Sequence, residues 1–317
     1  MHRMRRICEL SVWSILVPLL VSPGHLLCAQ GAKVSSPVEL ARLADQLRPG
    51  QWVLAPNVAP EGPILIYVDL SHQRATVYRN GIRIGVTTIS SGRPQHETPT
   101  GVFTILQKDA KHRSKKYDNA PMPYSERLTW DGVALHAGGV PGYPESHGCV
   151  HLPYEFAREL FGMTDLGVTV IVAGNAAHHV TTLEDGVLAP FDSQGKAFPS
   201  QPLDIDEFRW TPEESPTGPL TIIVSKHDQT IVVLRNGIEI GRSRAQINDD
   251  DPGSHVITLT SGPDGKPAWT YVGLPGHSED QGKVLDDATI NRVRLPRPFY
   301  DALKAELRPG TTILVTQ

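Results

Sequence analysis

The sequence predicts a mainly β protein with few helices, arranged as two units. Three observations carry this. Glycine and proline number 28 and 27 among 317 residues, which suits short strands joined by turns. Runs rich in β-branched and aromatic residues recur between turn signals. One pattern also occurs twice: residues 79–85 read Arg-Asn-Gly-Ile-Arg-Ile-Gly and residues 235–241 read Arg-Asn-Gly-Ile-Glu-Ile-Gly, an offset of 156.

In chain order, residues 2–6 are basic, an apolar run follows from Leu10 to Val21, and small residues surround Cys28. This is the order of an export signal, expected over 1–29 and too short for a membrane span of about 20 residues. An uncleaved anchor is the alternative. A helix and lead-in are expected over 30–61. Residues 64–70 are a strand by content. Residues 74–79 alternate, Asn80-Gly81 marks a hairpin, and 82–89 continue as its second strand. After the turn at Thr98-Pro99-Thr100-Gly101, residues 102–107 are strand again. Pro153 opens a helix to about Phe161, where its missing N–H is harmless. Residues 168–173 close the first unit, 62–174, as a strand. Residues 175–217 carry few apolar runs and read as a connector. The second unit spans 218–317.

The repeat extends beyond the hairpin. Val150-His151-Leu152-Pro153 matches Val293-Arg294-Leu295-Pro296, each followed by a helix and an apolar strand, at an offset of 143. A period this long indicates a duplicated domain rather than a solenoid. Within this comparison Arg292 takes the position of Cys149. Aligning Trp130-x-x-Val133-x-Leu135-His136 with Trp269-x-x-Val272-x-Leu274-Pro275 puts Pro275 at the position of His136. The second copy is expected to be degenerate, keeping scaffold residues and lacking the reactive pair.

Cleavage after residue 29 leaves 27 basic and 33 acidic residues. No clustered basic surface points to nucleic acid. It also removes Cys8 and Cys28, so Cys149 becomes the one remaining thiol. A lone thiol in an oxidising compartment forms no internal disulfide and is a liability unless it does chemistry. Cys149 is therefore the candidate nucleophile. A thiol needs a base to become the attacking thiolate. His136 and His147 are the candidates, with His147 able either to act itself or to shape the loop. The Gly148 and Cys149 N–H groups are the candidate oxyanion donors.

Leu135-His136-Ala137-Gly138 followed by Pro144-Glu145-Ser146-His147-Gly148-Cys149-Val150 resembles the catalytic signature of the L,D-transpeptidases, the YkuD-type domain. Thr98-Pro99-Thr100-Gly101 with Phe103, and Ala120-Pro121-Met122-Pro123-Tyr124, are similar to its flanks. The resemblance covers about 62–174. It implies a β-sandwich-like domain with the cysteine at the mouth of a groove beneath a mobile loop. It implies a substrate, the peptidoglycan tetrapeptide stem, and no cofactor or metal in the reaction. Cys149 would attack the carbonyl of the third stem residue and release the terminal D-alanine. The acyl group would pass to an amine of a neighbouring stem, a lipoprotein or a free D-amino acid. His136 would be the base, held by the Ala137 carbonyl, and Ser146, His151, Tyr124 and Met122 would bind substrate. His151 stands where the family commonly has Arg or Asn. Hydrolysis at the same site, and a non-catalytic peptidoglycan-binding protein, are the alternatives. The expected location is the periplasm; the oligomeric state stays open.

Overall fold

The computed structural model describes residues 31–176, 208–249, 251, 253–261, 265–274, 277–290 and 292–316. The expected leader (1–29), residues 177–207 of the expected connector, and Pro275 lie outside the described residues.

The first half runs β1 (Gly31–Lys33), α1 (Pro37–Asp45), β2 (Trp52–Leu54), β3 (Ile64–Asp69), β4 (Arg74–Arg79), β5 (Ile82–Thr88), β6 (Gly101–Thr104), β7 (Gln107–Asp109), β8 (Ser125–Arg127), β9 (Ala134–Ala137), β10 (Val150–Leu152), α2 (Tyr154–Met163) and β11 (Thr169–Ala173). The second runs β12 (Phe208–Trp210), β13 (Leu220–Ser225), β14 (Thr230–Arg235), β15 (Ile238–Arg244), β16 (Gln246–Ile247), β17 (His255–Ser261), β18 (Pro267–Val272), α3 (Asp287–Ile290), β19 (Val293–Arg294), α4 (Arg297–Glu306) and β20 (Thr312–Thr316). The fold is mainly β, as the composition predicts.

Each half builds a seven-stranded sheet. The first has the order β1-β2-β5-β4-β3-β11-β6 and the second β12-β15-β14-β13-β20-β17-β18. In each, a hairpin pair is followed by a parallel neighbour, β3 with β11 and β13 with β20. Asn80 and Gly81 have φ of 54° and 76°, and Asn236 and Gly237 have 51° and 73°. Two consecutive left-handed residues are what a tight hairpin of right-twisted strands requires. The offset of 156 reaches into fine detail. A bulge falls between Val77 and Tyr78 and again between Val233 and Leu234. Arg79 donates to the Ala59 and Pro60 carbonyls, as Arg235 does to those of Ser215 and Pro216.

Strands outside the expected unit add to its sheet: β1 pairs with β2 and β2 with β5, within the segment expected as helix and lead-in. Two expectations need correction. The connector does not extend to 217, because β12 pairs with β15 and Trp210 packs on Phe299. The expected strand over 102–107 is broken at Ile105-Leu106, where the chain crosses between sheets; Ile105 N–H donates to the Val168 carbonyl and Leu106 N–H to that of Arg127. The Trp130/Trp269 alignment also joins unlike elements. Trp269 lies within β18 of the large sheet, whereas Trp130 precedes β9 of a small four-stranded sheet, order β10-β9-β8-β7.

Alternation along the central strands builds three apolar layers. On β3, Ile66 and Val68 face α2 and the small sheet, while Leu65 and Tyr67 face the second half. On β14, Val232 and Leu234 face the first half, while Ile231 and Val233 face α4. The two large sheets therefore share one core, containing Tyr78, Val102 and Ile171 from one side and Ile223, Val256 and Leu314 from the other. The Tyr78 hydroxyl crosses this interface and donates to the Gly273 carbonyl at 2.8 Å. Strands buried on both faces account for the near-continuous apolar runs of 64–68, 169–173 and 220–224.

The small sheet is anchored from below. Lys108 on β7 donates to the Phe161 and Thr164 carbonyls at the end of α2. Glu126 on β8 is buried and accepts from the Thr164 hydroxyl. Burial pushes the Glu126 carboxyl up to about 7, against the opposing pull of Thr164 and Lys108.

The shared core predicts that Ile171→Ala costs about 2–5 kcal/mol and that both halves unfold in one transition, read by circular dichroism and tryptophan fluorescence. Two separated transitions would contradict a common core. The raised Glu126 makes its neutral form the one that suits the fold. Its contribution is complete below the ordinary carboxylate range and is lost as pH rises through about 7. Urea midpoints at pH 5 and pH 8 should therefore differ less in Glu126→Gln than in wild type; equal differences would reject this.

Candidate active site

β9 and β10 run parallel, with Leu135 opposite Val150, His136 opposite His151 and Ala137 opposite Leu152. Cys149 lies in the bend that leads into β10, one residue before the first paired position, Val150. His136 and Cys149 share no hydrogen bond in this conformation. The thiol instead donates to the Gly132 carbonyl at 3.5 Å.

The His136 ring is buried, and its Nδ1 donates to the Ala137 carbonyl at 2.9 Å. That bond fixes the tautomer and leaves Nε2 with its lone pair. Burial, reinforced by His151, lowers the His136 pKa to about 4. The ring is therefore neutral near pH 7 and able to accept a proton. Burial also pushes the Cys149 thiol up, opposed by a hydrogen bond from the Ala134 backbone. The resting pair is a neutral thiol and a neutral imidazole, not the thiolate that attack on a carbonyl requires.

The turn ahead of Cys149 is pinned on several sides. Glu145 and Ser146 N–H groups donate to the Ser91 carbonyl. The Ser146 hydroxyl donates to the Cys149 carbonyl and accepts from Gly148 N–H. Thr98 adds a second hydroxyl to the Cys149 carbonyl at 3.5 Å. Gly148 has φ of 108°, a backbone conformation that a side chain resists.

A groove of about 820 Å³ opens beside the thiol. Lys115, Lys116 and Tyr117 of the β7–β8 hairpin line it on one side, Trp130 on another, and His147, Gly148 and Cys149 at the base. Glu97, Asp109 and Asp131 contribute negative charge to the same walls. The structure thus sorts the residues named from sequence. Cys149, His147, Gly148 and Met122 line the groove. His136 is not among the residues that line it. His147 does not serve as the free base here: its Nε2 accepts from the Arg93 guanidinium at 2.8 Å, and its ring packs on Tyr117 and His96.

Four residues with expected roles are engaged in other contacts in this conformation. Ser146 is 1% exposed and braces the turn instead of facing substrate. Tyr124 packs against Tyr154 and Phe161, away from the groove. His151 packs edge-on against His136, ring centroids 4.8 Å apart, because the parallel register puts the two side by side. Gly148 N–H is occupied by Ser146, so it is not a free oxyanion donor in this conformation. Residues 107–130, read from sequence as a lid rich in Lys, Arg and Tyr, supply Lys115, Lys116 and Trp130 to the groove walls; sequence reasoning missed Asp131-Gly132 and the Arg93 that holds His147. Asp131-Gly132 is a legible turn signal, but nothing local ties it to a cysteine 17 positions later.

The neutral pair has a measurable signature. Alkylation of Cys149 by iodoacetamide should accelerate as pH rises beyond the ordinary thiol range of about 8.5, with no fast plateau at pH 5–7. Such a plateau would mean a preformed thiolate and imidazolium.

Residues 63–172 match the L,D-transpeptidase catalytic domain, YkuD. The chain is 31% identical over 107 residues to the probable L,D-transpeptidase 3 of Mycobacterium tuberculosis, covering 28% of this chain and 38% of that one. An L,D-transpeptidase structure from Stackebrandtia nassauensis is 34% identical, covering 37% of this chain and 58% of that one, with a TM-score of 0.34. One from Mycobacterium smegmatis is 26% identical, covering 36% and 59%, with a TM-score of 0.33. The chain thus spans less than two thirds of each of these relatives. Within that span, the matched stretch carries the His136 and Cys149 segments on adjacent strands. Residues 63–172 are thus the stretch of this chain that is similar to the L,D-transpeptidase catalytic domain.

Proposed function

We propose that this protein is a cysteine-dependent L,D-transpeptidase acting on peptidoglycan tetrapeptide stems. The observation that carries the reading is the pairing of β9, which bears His136, with β10, which Cys149 immediately precedes, and the hold of the Ala137 carbonyl on His136 Nδ1. Substrate entering the groove displaces the thiol from the Gly132 carbonyl. His136 Nε2 takes the thiol proton as Sγ bonds to the carbonyl carbon of the third stem residue. The tetrahedral intermediate collapses, the bond to the terminal D-alanine breaks, and its amine leaves with the proton from His136. The resulting thioester is attacked by an acceptor amine, whose proton passes through His136 back to sulfur.

Lys115, Lys116 and Arg127 in the groove suit the carboxylates of a stem peptide. Acceptors are an amine of a second stem, a lipoprotein amine or a D-amino acid; water as acceptor would make the enzyme a carboxypeptidase. The reading entails an extracytoplasmic, periplasmic location, and the basic and apolar order of residues 2–21 supports it. We also read the second half as a copy of the same domain without its reactive pair, because the offset of 156 relates turn, bulge and arginine contacts alike.

Incubation with disaccharide-tetrapeptide followed by mass spectrometry tests the reaction. A dimer with loss of D-alanine indicates transfer, and a shortened monomer indicates hydrolysis. Cys149→Ala should abolish both, and His136→Gln should lower the rate about 10²–10⁴-fold. An unchanged substrate with Cys149 verified as reduced would refute the proposal. A carbapenem adduct at Cys149, absent in Cys149→Ala, tests nucleophilicity separately.

A further inference from the structure

The second half holds a cluster that the acyl-transfer reading does not use. His255 opens β17, His277 lies just beyond β18, and Asp280 ends the short 3₁₀ turn that follows. One ligand atom from each lies within 4.8 Å of the other two. Among the described residues this is the one group of three histidine, cysteine or carboxylate side chains gathered so closely.

We propose that His255, His277 and Asp280 bind one divalent transition-metal ion of the zinc class. Two imidazoles and a carboxylate are a donor set that suits zinc, with a water completing four-coordination. In a tetrahedral site with bonds of about 2.0–2.1 Å, ligand atoms sit about 3.3 Å apart. Binding therefore draws the three side chains together from their present spacing. All three are half-buried, so an ion can reach them from solvent.

Two further observations point the same way. The Asp251 carboxylate lies 2.9 Å from His255 Nε2. A carboxylate on one ring nitrogen orients the imidazole and leaves the other nitrogen its lone pair for an ion. Gly253 lies against the cluster: a Cβ there would meet Asp251 Oδ1 and His277 Cε1 at 3.0 Å and His255 Nε2 at 3.2 Å. The backbone thus approaches the histidines as closely as a side chain would forbid.

Charge around the site is balanced by two ammonium groups. Lys283 Nζ donates to Asp280 at 3.0 Å and would yield to the ion. Lys226 is committed to the Asp251 and Gly253 carbonyls. The ion would clasp the start of β17 to the segment after β18, close to the Gly273 carbonyl that receives the Tyr78 hydroxyl. Its role is to brace the contact between halves, independent of Cys149 chemistry.

The test uses the untagged, leaderless chain carrying Cys149→Ala, so that the active-site thiol cannot take metal, after chelator treatment and dialysis. Cobalt(II) titration followed by visible absorption, and zinc titration followed by calorimetry, should each show one equivalent bound. The apparent Tm should rise with zinc concentration. His277→Gln and Asp280→Asn should each weaken binding at least tenfold and remove the Tm response. Asp251→Asn, which leaves all three ligands in place, should weaken binding less than loss of a ligand does. If His277→Gln fails to fold, Asp280→Asn decides alone, since it changes only one charge near the surface. Absence of saturable one-to-one uptake, or uptake undiminished in Asp280→Asn, would overturn the assignment.

Discussion

Three residues of β9 paired in parallel with three of β10 hold the candidate site together. Parallel neighbours must be joined by a crossover, and here it is a loop of glycines and prolines between His136 and Cys149. The ladder determines which side chains face which way, and a slip of one residue would turn His136 and His151 away from each other. The loop is therefore tied at its end by backbone and hydroxyl groups, with Ser91, Ser146 and Thr98 holding the turn into the cysteine.

The electrostatics follow from the same placement. His136 is buried on β9, where desolvation disfavours its cation. The thiol is shielded as well, and its charged form is disfavoured in turn. Under the proposed reaction, a site whose acid and base are both uncharged at rest holds no reactive thiolate exposed while it waits for substrate. Its walls, by contrast, carry lysines and carboxylates in contact with solvent. Charge is placed where a polar ligand would enter and withheld from where the proton would move.

Much of this is legible in the sequence where the signal is local. Asn80-Gly81 and Asn236-Gly237 favour tight turns, and both form them. Pro153 and Pro296 mark helix starts because a missing N–H does no harm there. β1, β2 and β12 are three residues long, too short to show a period of two. By sequence alone they pass for lead-in and connector; their partners in the sheet are what make them strands. The roles of Ser146, Tyr124 and His151 depend on contacts between distant segments. Proximity to a motif in sequence says little about which face of a loop a side chain takes.

The large sheets meet through Leu65, Tyr67, Tyr78, Val102, Ile171 and Ala173 on one side. These positions belong to the half that carries the thiol, yet their burial is supplied by residues after 208. A ribosome delivers the first half earlier, so a growing chain bears an oily sheet face with nothing yet to lie against it. Edge pairing and collapse onto other chains are the hazards of such a surface. The thiol-free half thus acts as an intramolecular shield, and shortening the gene to its reactive portion would yield a polypeptide prone to clump.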